Sequence, residues 1–144
     1  MWIKQFSIKR AAAAAIGAAL MFGMASTLVA HHSVTAVFDT DKHVQIKGEF
    51  TNVEWVNPHV FLYMKAPDKN GKMQEWKFES GPPAFFRRSR VNRRTFTDHI
   101  GQMATIDGLP AKDGSNYVFV QKVTFADGDV VESVSAAEAA RGGR

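Results

Sequence analysis

The chain has 144 residues, a formal charge of +4 and no cysteine. That length suggests one domain, and the missing thiols exclude disulfides and thiolate metal sites. The charge is no nucleic-acid signal, because residues 1–30 carry three of the 18 Lys+Arg and none of the 14 Asp+Glu, leaving fifteen basic against fourteen acidic residues, or +1, for the rest.

Lys4, Lys9 and Arg10 precede an uncharged run from Ala11 to Ala30, which passes through Leu20, Met21 and Phe22 and ends in Leu28-Val29-Ala30. This is the pattern of a secretory signal peptide, a helix of residues 1–30 cleaved after Ala30. A retained anchor is the alternative for a run of this kind, but its Ala and Gly content makes it only moderately hydrophobic. Cleavage after Ala25 also satisfies the small-residue requirement. Removing 30 of the 144 residues leaves 114, enough to bury about two-thirds of the unfolded surface without staples. The expected compartment is periplasmic or secreted, with no stable membrane span after cleavage.

Residues 31–43 are polar and mixed, and read as an extended N-terminal arm. The predicted barrel occupies 44–134. Val44, Ile46, Gly48 and Phe50 alternate, as a half-buried strand does. Val53 and Trp55 continue in the opposite phase, and a slip beside a Gly points to a β-bulge in a long bent strand. Asn57-Pro58-His59 reads as a turn. A second strand follows at 60–66, then a Pro67-to-Gly71 hairpin loop with an Asn-Gly pair, then a third strand at 73–80. Gly81-Pro82-Pro83 breaks the sheet, and residues 84–99 read as a short helix and a loop.

Strand returns at 101–109 and at 116–125, separated by an Asp113-Gly114 turn, and a short sixth strand is expected at 130–134. The tail 135–144 reads as frayed. Three strands, a helical insert and two more strands is the order of an OB-like small barrel. The expected fold is therefore all-β, an OB-like five- or six-stranded barrel with one short helical insert.

Three segments carry a family resemblance: Ala30-His31-His32-Ser33, the run Val53-Glu54-Trp55-Val56-Asn57-Pro58-His59, and Ala111-Lys112-Asp113-Gly114-Ser115. Over about residues 30–130 the chain resembles an uncharacterised family of short exported bacterial proteins, a domain of unknown function. One departure lies at Ser89-Arg90, where the family carries Gly-Trp. The resemblance implies export and the extent of the domain, and it lends no activity.

The five histidines are His31, His32, His43, His59 and His99. Cleavage after Ala30 makes His31 the mature terminus, whose α-amine and ring Nδ1 together chelate one metal. A further imidazole completes a T-shaped three-nitrogen set, and tetragonal nitrogen ligation suits Cu(II). His59 is the best third ligand; His32 is too near along the chain to complete the T and would bind through a terminal peptide mode. The competing reading makes His31 and His32 ordinary polar residues, and His59 a turn cap. No other cofactor is called for, and copper itself is not required.

Trp55, Phe61, Tyr63, Trp76 and Phe78 are many aromatics for three strands. With Asn57 and His59, the residues Trp55, Phe61, Tyr63 and Trp76 form the candidate ligand site, since OB-like barrels bind on the face of strands two and three. Cover by the arm, or by a dimer seam, is the alternative. Arg87, Arg88, Arg90, Arg93 and Arg94 cluster, with Arg87, Arg90 and Arg94 on one face if helical. The plain reading is a solvated face paired with Glu75, Glu79 or Asp98.

The chain holds no Gly-x-Ser-x-Gly, no His-Glu-x-x-His and no phosphate loop. The leading expectation is an exported non-catalytic binding or accessory module for an unknown small ligand or protein partner, not nucleic acid. The runner-up is a periplasmic copper-binding protein using His31 with His59.

Overall fold

The computed structural model describes residues 34–86 and 90–133. The leader 1–30, His31, His32, Arg87, Arg88 and the tail 135–144 lie outside the described residues, and so do the expectations that rest on them.

Alternation from Val44 builds β1 (Val44–Trp55), in which Gly48, Phe50 and Val53 are buried. The three-residue step from Phe50 to Val53 is a bulge, as the sequence phase suggests. It falls at Thr51, between Phe50 and Asn52, not at Gly48. Gly48 has a different task. A Cβ there would collide with the Lys65 carbonyl oxygen and come within 2.7 Å of the Ala66 methyl. Only glycine lets β1 pass so close to the neighbouring strand.

The other strands are β2 (Val60–Pro67), β3 (Met73–Ser80), β4 (Met103–Pro110), β5 (Tyr117–Phe125) and β6 (Val130–Glu132). β1 pairs antiparallel with β4 through its first half and with β2 through its second. β2 pairs with β3, and β4 with β5. Closure comes from a parallel pairing in which Lys77, Phe78 and Glu79 of β3 meet Tyr117, Val118 and Phe119 of β5. Five strands thus form a closed barrel in the OB-like order, and β6 adds to β5 outside it. Closure leaves those five strands without free edges over the paired segments.

Phe50, Val60, Leu62, Met64, Phe78, Ile106, Val118, Val120 and Val123 fill the barrel. Burying each such side chain contributes about 1.5–3 kcal/mol. One end is covered by the insert, which is two short helices, not the single helix and loop expected. They are α2 (Pro83–Phe86) and α3 (Arg93–Thr97). Asn92 caps α3 by accepting from Arg94 N–H, and Thr95 reaches back to Asn92 N–H. Phe86 and Phe96 pack edge-on at 5.9 Å, and both touch Trp55.

Among the described residues, Arg90 and Arg94 do not share a helical face. Arg90 is a turn residue with φ of 60°, so it is off the helical spacing with Arg94. Arg94 instead pairs with Asp98 at 3.2 Å, an exposed i, i+4 contact, worth little in water.

The arm is not extended either. α1 (Val34–Val37) is one helical turn, and Phe38 bridges to Ala111. Val34, Phe38, Leu109, Ala111 and Phe119 make a second buried cluster on the outside of β4 and β5. The physical reason is Phe119. It points away from the barrel axis between inward Val118 and Val120, and its exposed ring would be costly without cover.

Candidate functional site

On β2 and β3 the even-numbered residues point inward, so Phe61, Tyr63, Lys77 and Glu79 point outward. Register places Phe61 opposite Glu79 and Tyr63 opposite Lys77. The parallel pairing then sets Tyr117 opposite Lys77. Three strands therefore deliver Phe61, Tyr63, Lys77, Glu79 and Tyr117 to one half-buried outer face. The Asn57-Pro58 turn, whose peptide bond is cis, brings His59 to the edge of this face.

Glu79 is the hub. Its Oε1 lies 2.9 Å from His59 Nδ1, with the two side chains 13% and 24% exposed. Its Oε2 accepts a hydrogen bond from the Tyr117 hydroxyl. His59 Nδ1 is also 3.4 Å from the Ser80 carbonyl oxygen. Both neighbours of Nδ1 are acceptors, so Nδ1 carries the hydrogen, and Nε2 is the ring atom left to meet a ligand. Burial, and after it the Glu79 hydrogen bond, raises the Tyr117 hydroxyl above the ordinary tyrosine range. Tyr117 therefore acts as a fixed donor holding the carboxylate.

Lys77 spans the aromatic part. Its Nζ sits 4.0 Å over the Phe61 ring and 5.5 Å from the Tyr117 ring. Such contacts contribute about 0.5–1 kcal/mol at exposed sites. The Phe61 ring thus already has a cation over it, which leaves it less open as a stacking platform. Tyr63 is pushed up to about 12, by burial first and then by its hydrogen bond to Glu54.

Of the sequence-derived candidates, His59, Phe61 and Tyr63 share the outer face. Asn57 is exposed in the adjoining turn. Trp55 and Trp76 lie elsewhere. Trp55 packs among Phe86 and Phe96, and Trp76 lies against the barrel core beside Phe78. The buried Trp76 Nε1 has no hydrogen-bond partner among the described residues. His31 and His32 lie outside the described residues. His43 sits apart, with Nδ1 3.0 Å from Gln121 Oε1.

The structure adds Glu79, Lys77 and Tyr117. Glu79 stood in the sequence as one of the acidic residues available to the arginine cluster, and nothing local marked Tyr117. Their meeting depends on the parallel β3–β5 closure, between residues far apart in the chain.

The arm reaches the same face. The Phe38 ring is 5.0 Å from Tyr117 and 5.6 Å from Phe119. The Ala111-to-Ser115 turn holds it there: Lys112 N–H donates to the Val37 carbonyl at 3.0 Å, and Lys112 Nζ to the Thr35 carbonyl at 2.7 Å. Asp113 fixes the turn through Ser115 N–H and Oγ, around Gly114 at φ of 76°.

A family model described as "Family of unknown function (DUF6152)" matches residues 19–119. That span includes His59, Glu79 and Tyr117. No curated protein matches the sequence.

Proposed function

The chain belongs to the DUF6152 family of unknown function, and we propose that its barrel works outside the cytoplasm as a non-catalytic binding module, with the His59 face as its ligand site. The ligand that suits this face best is Cu(II), held by His59 Nε2 with the α-amine and ring of a mature His31 terminus.

One observation carries the reading. Glu79 and the Ser80 carbonyl occupy His59 Nδ1 and leave Nε2 for a ligand. A carboxylate on the rear nitrogen is how metal-binding histidines are oriented and made more basic. Tyr117 in turn fixes that carboxylate. The second ligand source rests on cleavage after Ala30, which would make His31 the terminus, three residues before the buried Val34 in sequence. Nitrogen donors in a tetragonal set select Cu(II) over harder cations.

The test compares two forms of the exported protein, one with the authentic His31 terminus and one with Met placed before it. The first is expected to take one equivalent of Cu(II) tightly, and the second to bind far more weakly with a changed visible spectrum. Equal, weak binding by both removes the copper reading.

A further inference from the structure

A second cluster of donors lies where α3, β5 and the turn into β6 meet. His99 follows α3, with its side chain only 8% exposed. Its ring stacks on Phe125 at 3.8 Å and 16°. Nδ1 is 2.7 Å from the Thr95 carbonyl oxygen. A carbonyl only accepts, so Nδ1 carries a hydrogen. Nε2 points the other way, 2.8 Å from Asp127 Oδ2 and 3.8 Å from Asp129 Oδ2.

The neutral ring would therefore aim a lone pair at two carboxylates, with all three donor atoms within 4.8 Å of one another. Only His99 is buried among the three, and a cation between them, a metal ion or a proton on Nε2, relieves the repulsion of a lone pair facing two carboxylates. The turn is built to hold the carboxylates in place. Asp127 Oδ1 accepts from Asp129 N–H at 3.0 Å, which leaves Oδ2 aimed at His99. Gly128 supplies the positive φ of 97° that the turn requires. Asp127 and Asp129 are 49% and 70% exposed, so an ion can enter from solvent.

We propose that His99 Nε2, Asp127 and Asp129 form a site for a divalent transition-metal cation of the Zn(II) type, with water completing its shell. One imidazole and two carboxylates suit such an ion, and the backbone carbonyl on Nδ1 supplies the orienting outer contact that ligating histidines use. Zinc–donor bonds of about 2.0–2.2 Å place tetrahedral ligands about 3.3–3.5 Å apart. The observed 2.8 and 3.8 Å bracket that spacing, and all three donor atoms lie within 4.8 Å of one another, so the two exposed Asp side chains would adjust to close the set. The site is independent of the His59 reading, shares no residue with it, and has Asp127 and Asp129 beyond the span of the family match.

The competing cation is a proton, which would make His99 an imidazolium paired with Asp127. Zn(II) titration of the full chain, followed by the ring ¹⁵N signals of His99 and the amide signals of Asp127–Asp129, separates the two. The expected result is a shift of these signals that saturates at one equivalent and is absent with Ca(II). In the Asp127→Asn/Asp129→Asn variant the shift should be lost or need at least ten times more Zn(II). Both aspartates are exposed, so this variant keeps the fold. His59→Gln should leave the His99 shift unchanged. Unmoved His99 signals, a proton retained on Nε2 at saturating Zn(II), shifts confined to His59, or full binding by the double variant would each overturn the proposal.

Discussion

Phe38 and Tyr117 pack as a tilted pair with ring centroids 5.0 Å apart, and Tyr117 is also the residue whose hydroxyl holds Glu79. The segment 34–38 is thereby packed beside the same outer face that presents His59. The arm is part of the site's support, because the ring it covers is the one that fixes the carboxylate.

Replacing Phe38 with Ala should cost about 3–5 kcal/mol, the usual loss for truncating a buried Phe. Urea denaturation measures the loss. Limited proteolysis should show faster cleavage between residues 34 and 43 while the barrel stays intact. Unchanged stability and protection would mean that the arm contributes no packing.

The two tyrosines give an alkaline signature. Both hydroxyls are raised, Tyr63 to about 12, chiefly by burial. The native protein should therefore show almost no tyrosinate absorbance near pH 10, where free tyrosine is half ionised. Between pH 10 and 12 the unfolded chain has lost a Tyr63 proton that the native chain retains. Stability is thus unaffected by Tyr63 below pH 10 and falls as pH rises from about 10 to about 12. Glu54→Gln should bring the Tyr63 titration to lower pH. A native titration centred at pH 10 contradicts this.

Gly108 repeats the constraint seen at Gly48. A Cβ there would strike the Phe119 carbonyl oxygen and the Val118 side chain. β4 and β5 also shift register at this point, between Asp107 and Gly108. Gly108→Ala should destabilise the fold by about 1–3 kcal/mol, as overpacking does. Thermal melting of the variant checks the direction and size.

Much of the barrel is readable locally. Alternation marks the start of β1, and Asn70-Gly71 and Asp113-Gly114 mark turns whose glycines have positive φ. The order of three strands, insert and two strands fits the closed topology found. The parallel β3–β5 register is not readable, because it pairs residues about forty positions apart and leaves no local pattern. For the same reason His59 stands out in its turn, whereas its partner Glu79 and the distant Tyr117 do not. The arm hides in polar company: Val34 and Phe38 look exposed until Phe119 is seen pointing outward. Val118-Phe119-Val120, apolar on both faces of a strand, was the available signal for cover on the outside. The double-helix insert was obscured by its arginines, whose apparent helical spacing is broken at Arg90.

Glu79→Gln isolates the orienting carboxylate. It keeps the shape but removes the negative charge that faces His59 Nδ1, and should weaken Cu(II) binding about 10- to 100-fold. Isothermal titration measures the change, with circular dichroism showing that the sheet is kept. An unaltered affinity would reduce the His59–Glu79 contact to a structural ion pair.

The most direct measurement is the electron paramagnetic resonance spectrum of the exported protein loaded with one equivalent of Cu(II), compared with that of His59→Gln. The account predicts tetragonal copper with hyperfine structure from three nitrogens in the native protein, one of which disappears in the variant along with most of the affinity. Identical spectra and affinities for the two proteins would contradict it.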